Sequence, residues 1–271
     1  MDMTLVFRRT ESKYFLTQDR YRRLMSDIGG MLEPDVYGRS TVCSVYPDTP
    51  DFGLARRSAE AVGYKEKLRI RSYGRTASLS SDVFFEIKKK YNGVVYKRRV
   101  TMTLAGAEEY LSSGIPPCDS QIMREIDYAM RLYRPSPAAV VSYEREAFTA
   151  KDTPELRLTF DTGVRFRTDR LSLSEGSAGE KLLPDGTVLL EIKSTGGMPL
   201  WLTGALDANG IFPSPFSKYG AAYRVIAGRG GVCVGVSCFH CARLPDNARA
   251  FLCPGQGREG AGSADNRSGI A

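Results

Sequence analysis

The sequence predicts an α+β protein built on an antiparallel sheet that turns its charged face inward, with helices packed outside. Three observations carry this. The segment KLRIRSYG (67–74) alternates Lys67, Arg69 and Arg71 with Leu68 and Ile70, and successive side chains of a strand point to opposite faces. The same two-faced pattern recurs in FFEIKKKY, where Glu86, Lys88 and Lys90 oppose Phe85 and Ile87, and in LLEIKST, where Glu191 and Lys193 oppose Leu190 and Ile192. Several amphipathic helical segments are available to cover the apolar faces, which leaves the charged faces pointing at each other inside a barrel or deep groove. An antiparallel sheet with one wet face is the plain alternative. Such a face usually carries Thr, Ser and Gln and balances its signs, whereas here Arg and Lys dominate the same face of several strands.

Taken in order, VFRRTESKYFL is a strand with Phe7, Arg9, Glu11 and Lys13 on one face. Thr17 can cap a following helix whose apolar stripe is Tyr21, Leu24, Met25 and Ile28. STVCSVYPDT is β-rich, and Pro47 within it marks an edge or a bend, because proline cannot donate to a ladder. Residues 67–73, 83–90 and 94–103 are strands, the last two joined by a tight turn at YNG (91–93). In the third, Lys97 and Arg99 share a face. LAGAEEYLSSG is a short helix ending at Gly114. SQIMREIDYAMRLY is a helix capped by Ser120 that buries Ile122, Ile126, Met130 and Leu132.

Strands return at AAVVSYEREAF, with Tyr143 and Arg145 together, and at LRLTFDTGVRFR, which with the preceding Glu155 places Arg157, Thr159 and Asp161 opposite Leu156, Leu158 and Phe160. A further strand, TVLLEIKST, begins from the turn LPDGT (183–187). MPLWLTGALDAN (198–209) is a helix with Pro199 near its first turn, and SPFSKYGAAYRVI follows. Residues 1–227 read as one domain. From Gly228 the chain turns rich in Gly, Ala, Ser, Arg and Cys without any sustained period, and 228–271 is expected to be a largely disordered tail.

The chain has 271 residues and a net charge of +7, most of it in the folded part, which favours anionic partners. It has one histidine, His240, so a His general base, a Ser-His-Asp triad or a multi-His zinc site is not expected. No P-loop motif occurs, and GRGGVCVG (228–235) lacks the helical pattern that a dinucleotide fingerprint needs. CFHC (238–241) has too few well-spaced ligands for zinc. The N-terminal segment has no long apolar stretch and no run approaches a membrane span, so a cytoplasmic protein with free thiols is expected, Cys43 and Cys118 as buried ones.

A cavity lined by cations is costly without an anion. A polyphosphate supplies one, since Arg binds phosphate oxygens bidentately and Lys acts as a point charge. Carboxylates among the cations, Glu11, Glu86, Asp161 and Glu191, then suggest a hard divalent ion, Mn²⁺ or Mg²⁺.

In order along the chain, RTESKYFL, VYPDT, KLRIRSYG, FFEIKKKYNGVVYKRR, YEREAF, LRLTFDTGVRFR, LLEIKSTGGMPLWL and SKY resemble the VTC domain, the polyphosphate polymerase domain of the vacuolar transporter chaperone complex, and more closely its stand-alone bacterial relatives. The likeness covers about residues 5–226 and places the chain among the triphosphate tunnel metalloenzymes, related to the CYTH proteins. It implies an eight-stranded antiparallel β-barrel with helices outside. It implies that Lys13, Arg69, Arg71, Lys88, Arg99, Arg145, Arg157 and Lys218 grip and activate phosphates. Tyr143 and Ser217, with Lys67, Lys97 and Lys193 on the same faces, would contact substrate, and Glu191 aided by Glu11 would hold the metal.

The reaction it implies moves the γ-phosphate of ATP onto a growing polyphosphate chain. A membrane partner protein could receive that product, and no nucleic acid is expected. Hydrolysis of triphosphate or polyphosphate in the same tunnel, a non-catalytic polyphosphate sensor and RNA binding by a basic sheet are the alternatives. The last lacks an aromatic cluster for stacking bases, since the charged faces offer only Tyr73 and Tyr143.

Overall fold

The computed structural model describes residues 10–60, 63–92 and 94–229. Its strands are β1 (Thr10–Thr17), β2 (Leu32–Asp48), β3 (Tyr64–Tyr73), β4 (Asp82–Tyr91), β5 (Val94–Thr103), β6 (Ser136–Ala150), β7 (Thr153–Arg167), β8 (Glu180–Lys181) and β9 (Thr187–Ser194). The helices are α1 (Gln18–Ile28), α2 (Gly53–Glu60), α3 (Leu104–Ser113), α4 (Gln121–Tyr133), α5 (Leu200–Ala208) and α6 (Lys218–Arg229). All strand pairings are antiparallel and follow the order β1-β9-β7-β6-β2-β3-β4-β5, with β8 pairing β7 off this path.

The α+β class and the antiparallel sheet agree with the sequence; the closed barrel does not. Among the described residues β1 and β5 share no ladder, so the sheet has two free edges. The seam between its ends is crossed by side chains instead, Lys88 Nζ on β4 lying 3.7 Å from Glu11 Oε2 on β1. Lys13 and Lys88 also lie near Lys67 at this seam.

The apolar strand faces are covered as expected. Leu68, Ile70, Phe85 and Ile87 pack against Ala107 and Tyr110 of α3 and Met123 and Ile126 of α4. Leu156, Leu158, Phe160, Leu190 and Ile192 pack against Leu24 and Ile28 of α1 and Leu202 and Leu206 of α5. Each large side chain so buried contributes about 1.5–3 kcal/mol. Thr17, Ser120 and Gly114 cap their helices as predicted, Gly114 in the left-handed region at φ +72°.

Several details differ. Leu132 points outward, and Met123 and Ala129 take its place on the buried stripe of α4. Cys118 is exposed while Cys43 is buried. Pro47 sits at a register shift in β2, beyond the four residues Val42–Val45 that pair with β3, so it lies on a locally free edge. Helix α6 runs to Arg229, and it does not lie outside the sheet. It packs through Tyr219, Ala222 and Tyr223 on a third cluster containing Phe15, Val42, Tyr46, Val141, Tyr143, Phe166 and Leu189. The reason is visible along the strands: Phe15 follows Lys13 and Leu189 precedes Glu191 on the same faces, so the inner face turns from charged to apolar. Phe7, Arg9, the turn residue Gly93 and the cysteines and histidine beyond Arg229 lie outside the described residues.

Candidate functional site

Register brings the predicted cations together. Lys67, Arg69 and Arg71 of β3 stand opposite Lys88, Glu86 and Phe84 of β4, and β5 sets Lys97 and Arg99 beside Lys88 and Glu86. From the other end of the sheet, Lys13 pairs with Glu191, Glu191 with Thr159, and Asp161 with Arg145. A period of two on every strand keeps these groups on one face.

Three knots organise the charges. In the first, Glu86, 3% exposed, accepts from Arg69 Nε at 2.8 Å and lies 2.6 Å from Lys97 Nζ. Burial alone would raise the Glu86 carboxyl, but Arg69 and Lys97 outweigh it and hold it down to about 2. In the second, fully buried Asp161 accepts from Arg145 through two bonds of 2.7 and 2.8 Å and from Lys218 Nζ at 2.6 Å. Tyr143 underlies this knot, its ring 4.3 Å from Lys218 Nζ and 5.2 Å from the Arg145 guanidinium, while its hydroxyl accepts from Arg71 at 3.0 Å. Tyr143, expected among the substrate contacts, is buried and underlies the cations as a platform.

The third knot joins both proposed metal ligands. Lys13 Nζ lies 3.1 Å from Glu11 and 3.9 Å from Glu191, and donates to the Phe216 carbonyl at 2.9 Å. Lys193 Nζ lies 2.5 Å from Glu191. Burial opposes ionisation of Glu191, yet Lys193, Lys13, Lys218 and Arg145 hold it well below the usual carboxylate range.

Lys67 has no carboxylate partner among the described residues and donates to Ser217 Oγ at 2.9 Å. Burial, then Lys13, Lys88, Lys65 and Arg69, push its ammonium down to about 8. Ser217 also accepts the Gly220 N–H at 3.1 Å, so it caps α6 and binds Lys67 with the same oxygen. Two predicted residues stand apart: Arg99 is exposed on the edge strand with its guanidinium 4.8 Å from the Phe84 ring, and Arg157 lies 2.7 Å from Asp35.

Ser44 and Tyr46 belong to the site and were not singled out. Ser44 Oγ accepts from Arg71 Nε at 3.1 Å. Burial would raise the Tyr46 hydroxyl, but Arg69 and Arg71 outweigh it and hold it below its usual value. Alternation within STVCSVYPDT could have placed both on one face, had the pairing with Arg71 been known.

Among the described residues no three metal-ligating side chains cluster. Glu11 and Glu191 are the carboxylates that would hold a divalent ion, since Mg²⁺ binds through one or two carboxylates when substrate phosphates complete the shell; both are paired with ammonium groups, Glu11 with Lys13 and Lys88 and Glu191 with Lys13 and Lys193. Both face the same ammonium of Lys13, a position where positive charge is already accommodated.

The chain is similar in shape to several solved structures. A Bacillus halodurans protein proposed to be an adenylate cyclase aligns with 16% identity and TM-score 0.48, covering 76% of this chain and 92% of that one. A Vibrio parahaemolyticus protein proposed to have the same activity aligns with 10% identity and TM-score 0.43, covering 79% and 97%. The PH1819 protein of Pyrococcus horikoshii aligns with 11% identity and TM-score 0.40, covering 79% and 98%. Those values are too low to carry chemistry across. No curated protein sequence matches. The family description that matches is the VTC domain, over residues 8–227, which spans the sheet, its helices and all the groups above. This chain belongs to the VTC domain family.

Proposed function

We propose that this domain transfers the γ-phosphoryl group of ATP onto a polyphosphate chain held on the inner face of the sheet. The observation that carries the reading is the convergence of cations from β1, β3, β4, β5, β6, β9 and α6 on one face, where carboxylates neutralise only some of them. Lys67 is the clearest case, a half-buried ammonium surrounded by other cations. A chain of phosphates fits this need, because each unit brings negative charge and several acceptor oxygens.

The roles follow from the knots. Arg69, Arg71 and Arg145 present planar donors for bidentate phosphate contacts. Lys13, Lys67, Lys88, Lys97, Lys193 and Lys218 are point charges that neutralise bridging and terminal oxygens, with Arg99 and Arg157 at the margins. Ser217 holds Lys67 at the N-terminus of α6. Glu191 and Glu11 would hold the divalent ion, which when bound supplies further neutralisation of phosphate oxygens. No covalent enzyme intermediate is needed, since phosphoryl transfer proceeds by positioning and electrostatic stabilisation.

A second reading has its own observation. The apolar cluster of Phe15, Tyr46, Tyr143, Phe166 and Leu189 under α6 occupies the inner face at one end and shortens its charged stretch. A short triphosphate to be hydrolysed needs less of that charged stretch than a lengthening polyphosphate product. The test separates the two. Purified protein is incubated with ATP and Mn²⁺, and the products are run on a gel stained for polyphosphate beside Glu191→Ala. A ladder lost in the variant supports the polymerase. Phosphate release from tripolyphosphate without a ladder supports hydrolysis, and binding with neither product leaves a sensor.

A further inference from the structure

Beyond Arg71 the inner face ends in an aromatic cluster, contrary to the expectation that the charged faces offer only Tyr73 and Tyr143, and the phosphate contacts leave it unused. Tyr73 is the next inward residue of β3, and Phe84 stands opposite Arg71 on β4. The Tyr73 and Phe84 rings meet edge to face at 5.8 Å, and the Arg99 guanidinium covers Phe84 at 4.8 Å. A fourth member comes from a stretch of β2 that leaves its ladder. Pairing with β6 stops at Pro34 and resumes at Arg39. Within this excursion the Tyr37 N–H donates to Asp35 Oδ1 at 3.1 Å, and Gly38 takes φ +45°. Asp35 reaches Arg157 on β7 at 2.7 Å, while Tyr37 reaches Tyr73 on β3 with rings 14° from parallel and centroids 6.4 Å apart.

Core packing does not explain these rings. Tyr37 is 69% exposed and Tyr73 is 48% exposed. They offer flat apolar faces to solvent beside a strongly cationic face. The ligand that matches both is a planar aromatic group joined to phosphates. Two residues along a strand face lie about 6.6 Å apart, a span that a ribose bridges between a base at Tyr73 and a phosphate at Arg71.

We propose that Tyr37 and Tyr73, backed by Phe84 and Arg99, form a stacking shelf for the nucleobase of a nucleoside triphosphate whose phosphates lie on Arg71 and the cations beyond it. This rests on the phosphate-binding reading above and adds to it the part of the donor that is not phosphate. Stacking tolerates any base, because every base has a π-face. The shelf thus distinguishes a nucleotide from inorganic polyphosphate more than one base from another.

The experiment is calorimetric titration of the full chain with ATP and, separately, with inorganic tripolyphosphate. It is run on the wild type, Tyr37→Ala, Tyr73→Ala and the conservative Tyr37→Phe and Tyr73→Phe. The alanine variants are expected to weaken ATP by about ten- to a hundredfold, to leave tripolyphosphate within about twofold, and the phenylalanine variants to bind ATP like the wild type. Unchanged ATP affinity in the alanine variants, with tripolyphosphate bound normally, overturns the shelf and leaves the phosphate reading standing. Equal weakening of both ligands also overturns it, since the tyrosines would then only support the wall. A wild type that binds neither ligand defeats the phosphate reading, and the shelf falls with it.

Discussion

At single-residue scale, Lys67 is the group whose charge an anion in the cleft would change most. Its ammonium is pushed down to about 8 by burial and by neighbouring cations. A bound polyanion reverses the second cause and raises it. Binding therefore takes up a proton above about pH 8, and affinity for tripolyphosphate should fall as pH rises through that value. Titrations at pH 8.5 in buffers of different ionisation enthalpy would show the uptake, and Lys67→Met should abolish it.

Glu86 works in the opposite sense. Arg69 and Lys97 hold its carboxyl at about 2 in the folded protein, below the ordinary 4.5. The stability it contributes is present above about pH 4.5 and is lost as pH falls through 2. Glu86→Gln should cost about 3 kcal/mol at neutral pH, because it strands the half-buried Arg69, and should flatten the acid limb of a urea-denaturation series. Both residues are legible in the sequence as alternating charges. Which carboxylate meets which cation is not, because Glu86 faces Arg69 and Lys97 only through two separate strand pairings.

At the scale of elements, α6 is the piece that local pattern described least well. It is held by Asp48, at the end of β2, whose carboxylate accepts from the Leu54 and Ala55 N–H groups at 2.8 and 3.0 Å and from the Tyr219 hydroxyl at 2.6 Å. One side chain thus ties β2, the start of α2 and α6 together, and sets where Ser217 and Lys218 meet the cleft. Asp48→Asn should destabilise the fold by about 2 kcal/mol, as expected for bonds to a buried charge. It should also loosen α6, read as faster amide hydrogen exchange at Tyr219–Tyr223.

Strands and caps were readable because their signals are local: a period of two, a Thr or Ser before a helix, a glycine after one. The excursion at 35–38 was not readable, because its residues take their positions from Tyr73 and Arg157, distant in sequence.

At the scale of the whole described structure, the sheet is open and its two ends face each other across a seam, with Lys88 of β4 beside Glu11 of β1 and Lys13 of β1 acting on Lys67 of β3. The cationic inner face repels itself, so an anion that binds only the folded chain should stabilise it. Tripolyphosphate at about a hundredfold its Kd adds about 2.7 kcal/mol. For a domain of this size that raises Tm by about 5–10 °C, a shift that differential scanning would record and that salt should reduce.

The sequence by itself determined the two-faced strands and the helix caps, since each is written within a few consecutive residues, and the excess of cations, which is a matter of composition. Only the tertiary structure decided that the sheet stays open between β1 and β5, that α6 packs on the inner face, and that Tyr37 lies over Tyr73. Those outcomes depend on which faces meet across the fold. Strand alternation leaves that open, because it says which side chains share a face and nothing of what the face will find opposite it.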